Sequence, residues 1–222
     1  MKLFLFSLGQ LHHGAPIPGY LVQTDNGINV LIDTGYTRNA IGAYRTDPNL
    51  IVRMNEEDYI GNQLSRLGLQ PQDINYLISS HFDPDHAGNH DAFVHTPMVV
   101  QRRHYETARQ GIYPRLTEVW KQFDQPAIQY HFVDGDSELL PGITLIETSG
   151  HVPGHQSVLI HLPQTGPVLL TIDAITQSAD RDAETRSISP FDLDEAGVRA
   201  STRKLAEIVE REHVQLTVYG HD

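Results

Sequence analysis

No cysteine occurs among the 222 residues. That excludes a disulfide framework, a thiolate-ligated zinc site, an iron–sulfur cluster and a cysteine nucleophile. Long apolar runs are missing as well. Nothing approaches the roughly 18 consecutive apolar residues of a membrane span, and the apolar start at residues 2–8 is too short for a signal-peptide core with its cleavage site. It reads as a first strand, and a cytoplasmic protein is expected. Positive charge is scarce: 16 Lys and Arg stand against 28 Asp and Glu, for a net charge of −12. This argues against nucleic-acid and anionic-membrane partners, which need clustered cations. No repeat, low-complexity tract or Pro/Gly/Ser linker divides the chain, so a single domain over 1–222 is expected. The balance of 39% hydrophobic and 20% charged residues is that of a folded globular chain. Histidine, by contrast, is plentiful at 13 residues, and the question is whether those residues are scattered or placed.

Periodicity gives the scaffold. Short strands are expected at 20–24 and 29–33, around the turn Asp25-Asn26-Gly27. Residues 38–54, with Pro48, read as irregular. Residues 56–67 read as one helix, with Ile60, Leu64 and Leu67 on one face, Asn55 as its cap and Gly68 at its end. Strands follow at 76–80 and 98–101, helices at 103–109 and 115–123, and strands at 128–133, 143–148, 156–161 and 168–173. A long helix is expected over 194–212, with Asp192 as N-cap and Glu195 as its box partner. A last strand at 214–219 leads into Gly220-His221-Asp222. Strand-rich halves that each carry helices imply a layered α/β protein.

Chemistry concentrates in Ser80-His81-Phe82-Asp83-Pro84-Asp85-His86-Ala87-Gly88, directly after a strand. Without thiols, His and Asp are the natural ligands for a borderline divalent ion. Three more such residues sit at the ends of expected strands: His151, Asp173 and His221. Strand ends gathered along one sheet edge make a rigid place for a site. Two metals sharing one bridging carboxylate would use all seven. The other nine histidines read as surface, loop or supporting residues. Among them, His12 and His13 lie in a loop and are candidates to border the site, and His155 is placed to support a ligand.

At this point the sequence resembles a known family. Residues 80–88 are similar to the metallo-β-lactamase superfamily signature His-x-His-x-Asp-His. Thr148-Ser149-Gly150-His151, Thr171-Ile172-Asp173-Ala174 and Tyr219-Gly220-His221-Asp222 resemble its later ligand segments. Within the superfamily the chain is most similar to the N-acyl homoserine lactonases, through Pro18-Gly19-Tyr20, Ile32-Asp33-Thr34-Gly35, Asp73-Ile74, Val133-Asp134-Gly135-Asp136 and the final Gly-His-Asp. The resemblance implies a four-layer αββα sandwich. It also implies two divalent metals, zinc foremost: His81, Asp83 and His151 on one, Asp85, His86 and His221 on the other, and Asp173 bridging. A hydroxide between the metals would open a small-molecule lactone, with Asp85 as proton shuttle. Homodimerisation stays open.

Three departures accompany the resemblance. Asp83 stands where the signature has its second His, which makes the ligand set one unit more negative and shifts metal preference toward harder ions such as Mn, Fe or Co. Thr176 stands where the lactonases usually carry a substrate-binding Tyr; Tyr36, Tyr105 and Tyr113 are candidates to replace it. The chain stops at Asp222, where relatives usually continue through another helix. Tyr20, Phe82 and Tyr113 join Thr176 as candidate substrate contacts. Asp33-Thr34-Gly35 also matches the aspartic-protease triplet, but that chemistry needs two such Asp sharing a proton and only one is present. Its expected role is to tighten the turn beside the metals. Competing readings are a glyoxalase II-like thioesterase, whose relatives add a helical C-terminal domain for which no residues remain here, a phosphodiesterase or nuclease, which the acidic charge opposes, and a non-catalytic metal-binding or sensing module.

Overall fold

A computed structural model describes residues 1–11, 13–47 and 50–222; His12, Pro48 and Asn49 lie outside the described residues. The chain divides into two compact units: residues 1–99 with 110–131, and residues 100–109 with 132–222. Among the described residues the strands form two sheets, one of seven and one of five.

In the first unit, β1 (Lys2–Leu11), β2 (Pro16–Gln23) and β3 (Asn29–Ile32) form an antiparallel meander. The expected turn between β2 and β3 is present, with Gly27 at φ 83°. The described residues of 38–54 are irregular for the most part: two 3-10 turns, Arg38–Ala40 and Ala43–Arg45, precede the two-residue β4 (Val52–Arg53), which pairs with the end of β1. The helix expected over 56–67 is broken. A 3-10 turn, Glu56–Asp58, ends at Tyr59, whose backbone is extended at ψ 131°, and α1 (Ile60–Arg66) starts after it. The cause is local: the Asp58 carboxylate accepts the Asn55 N–H at 2.8 Å and closes the capping box over three residues.

β5 (Tyr76–Ile78) lies parallel to β3, and β6 (Met98–Gln101) parallel to β5. Between them, α2 (Pro84–Ala87) occupies the turn after β5. Leu8, Ile17, Leu31, Leu64, Leu77 and Phe93, among others, are buried in this unit's core. After α3 (Arg102–Arg109), the helix expected over 115–123 is two short pieces, α4 (Pro114–Thr117) and α5 (Trp120–Phe123). The Thr117 hydroxyl donates to the Pro114 carbonyl at 2.6 Å, competing with the helix ladder at that point. β7 (Tyr130–Val133) completes the larger sheet, in the order β4-β1-β2-β3-β5-β6-β7.

The second unit holds β8 (Ser137–Leu140), β9 (Ile143–Glu147), β10 (Gln156–Leu162), β11 (Gly166–Ile172), α6 (Glu195–Arg211) and β12 (Leu216–Tyr219), with sheet order β12-β11-β10-β9-β8. β8 escapes the sequence reading because Ser-Glu-Leu-Leu is short and carries no β-branched residue. β11 runs on from the antiparallel hairpin with β10 to pair in parallel with β12, with α6 as the crossover. Leu205 and Ile208 of α6 pack with Ile146, Leu159 and Leu169. The expected N-cap of α6 is corrected: Asp194, not Asp192, occupies that position, because the Asp192 carboxylate is engaged elsewhere. Among the described residues no helix is long and apolar enough to cross a membrane.

Candidate metal centre

Four candidate ligands share the turn that follows β5 in the first unit. His81 and His86 are fully buried and Asp83 nearly so, while Asp85 is half-buried. The rings of His81 and His86 lie 4.1 Å apart between centroids. His81 Nε2 is 3.4 Å from Asp83 Oδ2, and His86 Nε2 is 3.7 Å from Asp85 Oδ2.

One carboxylate just past β3, Asp33, organises this turn. Its Oδ2 accepts His86 Nδ1 at 2.9 Å and the Ser80 hydroxyl at 2.6 Å, and its Oδ1 accepts the Ser80 N–H at 2.8 Å. The Ser80 hydroxyl proton is therefore spent on Asp33, so the same oxygen accepts from His81 Nδ1 at 2.9 Å. Both imidazoles are thus held as Nδ1–H tautomers, and each Nε2 lone pair faces a carboxylate. Thr34 adds a clamp: its N–H and its hydroxyl both donate to the His86 carbonyl, at 2.7 and 3.1 Å. The Asp-Thr-Gly triplet is a brace for the His turn. Asp33 adopts φ 59°, a left-handed conformation in which Asp is better tolerated than most residues.

The second unit carries three candidate ligands on three separate segments. His151 Nε2 lies 3.4 Å from Asp173 Oδ2, and His221 Nε2 lies 3.3 Å from Asp173 Oδ1. Each oxygen of Asp173 thus faces a different imidazole. His151 Nδ1 donates to Asp192 Oδ1 at 3.0 Å, while Asp192 Oδ2 accepts the Ser189 N–H at 2.8 Å. This engagement removes Asp192 from the helix cap. His155 has its ring nitrogens turned to other work: its Nε2 accepts the Asp173 N–H at 3.2 Å and its Nδ1 donates to the Thr148 hydroxyl at 2.8 Å. It supports Asp173 from behind.

Backbone conformation at Asp173 is forced. The preceding Ile172 sits at φ 51°, rare for a β-branched residue and worth about 1–3 kcal/mol of strain. Gly220 makes this possible, since a Cβ there would stand 2.4 Å from the Ile172 carbonyl oxygen. The final residues are fastened to the 175–178 segment by the N–H groups of Gly220 and His221, donating to Ile175 and Thr176, and by Asp222 accepting the Ser178 N–H.

These donors fit divalent cations. Two ligand atoms about 2.1 Å from a shared ion at the tetrahedral angle lie roughly 3.4 Å apart. The His–Asp separations of 3.3 to 3.4 Å match that spacing and are long for a direct hydrogen bond. Imidazoles fixed at Nδ1 by a carboxylate or hydroxyl, with Nε2 presented, are what metal-ligating histidines require. His81 with Asp83, and Asp85 with His86, fall in separate groups able to hold an ion.

Of the candidate substrate residues, Tyr20 and Phe82 are fully buried, and Phe82 stacks on Phe123 at 4.3 Å and meets the His90 ring edge-on. Tyr113 and Thr176 are half-buried. Tyr36 is a stronger presence than sequence alone suggested. Burial, and then the charges of Asp85, Glu118 and Asp83, push its phenol well above the usual range, so it stays protonated. Sequence reading also missed Arg115, whose Nε lies 2.9 Å from Asp83 Oδ1. No motif marks Arg115 or Asp192 as a partner of Asp83 or His151; only the fold brings them together.

Strand-end His and Asp residues, with imidazoles braced at Nδ1, mark an α/β protein with candidate metal-binding groups. The model of the metallo-β-lactamase superfamily matches residues 15–221. An N-acyl homoserine lactonase from a Bacillus species is 38% identical over 213 residues, covering 93% of this chain and 81% of that protein. The N-acyl homoserine lactonase AttM of Rhizobium radiobacter is 32% identical, covering 93% and 82%. A solved N-acyl homoserine lactone hydrolase, with its product N-hexanoyl-L-homoserine at the catalytic metal centre, matches with a TM-score of 0.87 and 34% identity, covering 100% of this chain and 93% of that one. The chain belongs to the metallo-β-lactamase superfamily, with that superfamily's fold, and within it to the N-acyl homoserine lactonases.

Proposed function

We propose that this protein opens the lactone ring of N-acyl homoserine lactones, a quorum-quenching activity. The observation that supports this most directly is Asp173, which turns one oxygen toward His151 and the other toward His221, an arrangement suited to a bridging carboxylate. In this reading His81, Asp83 and His151 hold one divalent ion, Asp85, His86 and His221 hold another, and Asp173 serves both. Zinc is the favoured metal, with Mn, Fe or Co admitted by the harder oxygen of Asp83. When bound, such ions polarise the ester carbonyl and make water nucleophilic near neutral pH.

The protein's own groups do the rest. Asp33, Ser80 and Asp192 keep the imidazoles oriented, so the ligands need not reorganise as charge develops. Water oxygen bonds to the acyl carbon and gives up a proton to Asp85; as the acyl C–O bond of the ring breaks, its electron pair stays on the former ring oxygen, and Asp85 returns that proton to make the oxygen an alcohol. Tyr36, held protonated, donates a hydrogen bond to the substrate in place of the Tyr that Thr176 replaces. Tyr113 borders the acyl tail. We assign the enzyme to the cytoplasm as a single domain acting on a small molecule; its acidic balance suits neither nucleic acid nor anionic membrane.

The test is a substrate panel on purified protein of known metal content: N-hexanoyl- and N-decanoyl-homoserine lactone, a thioester and a phosphodiester. Lactone turnover with two ions per chain, lost to a chelator and restored by metal, is the expected result. Full metal occupancy without lactone turnover would sink the proposal.

A further inference from the structure

We infer that Arg115 is a positioning residue for Asp83: it cancels the extra negative charge that an aspartate brings to the His turn, and it decides which oxygen of that aspartate is presented. The inference rests on the reading of Asp83 as a metal ligand.

The two oxygens of Asp83 have different neighbours. Oδ1 is 2.9 Å from Arg115 Nε, and Oδ2 is 3.4 Å from His81 Nε2. Both side chains are largely withdrawn from water, 10% exposed for Asp83 and 19% for Arg115. A buried guanidinium beside a buried carboxylate is stable only as a pair, and removing either partner leaves an uncompensated charge. Oδ1 thus faces the guanidinium of Arg115, and Oδ2 faces the side where His81 presents its lone pair. Arg115 reaches Asp83 from α4, about thirty positions downstream of the turn.

The charge consequence follows by counting the turn's two aspartate candidate ligands together with Arg115, the other charges being common to every variant at positions 83 and 115. Asp83 and Asp85 contribute −2, and Arg115 returns the group to −1. A neutral His at position 83 with no cation nearby would also give −1. The pair Asp83–Arg115 is therefore electrostatically equivalent to a single neutral ligand, with oxygen in place of nitrogen. A group at −2 would hold a cation more tightly but leave it a weaker Lewis acid.

The test is a set of zinc dissociation constants, measured by competition with a chromophoric chelator, for the wild type, R115M, R115K, D83H and the double variant D83H/R115M. Their group charges are −1, −2, −1, 0 and −1. R115M should bind zinc most tightly and turn over lactone more slowly. The wild type, R115K and the double variant should agree within about threefold, and D83H should bind most weakly. Neighbouring steps should differ by about tenfold or more, the usual size of an effect transmitted through a ligand's partner. Arg115→Met thus restores metal binding in the D83H background to the wild-type value.

A merely structural Arg115 would instead loosen zinc on substitution by Met, equally in both backgrounds, and that result overturns the inference. So does an unchanged constant across the set. A wild type that takes up fewer than two ions overturns the parent reading of the ligands as well. A two-ion wild type whose variants ignore the charge order overturns this inference alone.

Discussion

The two units build their ligands in contrasting ways. The first takes four candidate ligands from six consecutive residues and braces two of its histidines through one carboxylate, Asp33. The second takes three candidate ligands from three distant segments and centres them on Asp173, with Asp192 and His155 as separate braces. A contiguous turn concentrates dependence in its brace. A dispersed set concentrates it in the shared ligand. Substitutions that hit each point of concentration should therefore have different profiles.

The largest effect is expected at Asp173. Asp173→Asn removes one anionic oxygen from a residue that faces two imidazoles, so both ions should be weakened together. Metal content should fall well below one per chain, and kcat/KM by about three orders of magnitude or more, the loss of metal-assisted attack. Asp83→Asn, by contrast, should lose about one ion and keep the other. Equal metal loss in the two variants would erase the contrast between a shared ligand and a private one. Metal analysis of the dialysed proteins decides it.

Next come the braces. Asp33→Asn should cost roughly 100-fold in kcat/KM and Asp192→Asn about 10-fold, within the span seen when partners of metal-ligating histidines are altered. The order reflects how many imidazoles each holds: two for Asp33, one of them through Ser80, and one for Asp192. Paired kinetic measurements at saturating metal would reverse the argument if Asp192 proved the more sensitive.

How far the sequence disclosed all this follows the same division. The clustering of the His turn was legible because its candidate ligands are adjacent, and the strand-end placement of His151, Asp173 and His221 was legible because each follows a recognisable apolar strand. Their braces were not. Asp192 looked like a helix cap because Asp followed three residues later by Glu is the usual signature, and only the tertiary fold turns that carboxylate to His151. Arg115 was invisible because nothing in a single sequence links a lone Arg in a short helix to a residue thirty positions earlier. The split of the expected 56–67 helix at Tyr59 shows a capping box that closed one turn too early for periodicity to register.

A smaller effect is expected at Tyr36, beside the contiguous turn. Because burial above all keeps its phenol protonated, Tyr36→Phe removes a donor and no charge. KM for a homoserine lactone should rise by roughly 5- to 10-fold, one neutral hydrogen bond's worth, with metal content unchanged. A fall in metal content would instead make Tyr36 a support for Asp85.

The smallest effect on neutral-pH activity, and the one that separates the units in acid, belongs to His90. Its ring is fully buried against Phe82, and neither ring nitrogen has a hydrogen-bond partner among the described residues. Burial pushes its pKa down from 6.5 to about 4, against a small opposing pull from Asp33. The folded state thus favours the neutral ring, and the unfolded chain binds a proton that the folded chain refuses between pH 6.5 and 4. Stability from this group is fully present above pH 6.5 and is lost as pH falls through that window, by on the order of 3 kcal/mol in total. His90→Phe keeps an aromatic ring beside Phe82 and cannot titrate. Its melting temperature should match the wild type near pH 7 and decline less steeply toward pH 4. If both proteins lose stability in parallel across that range, the acid sensitivity of the first unit lies in its ligand turn and not in the buried ring beneath it.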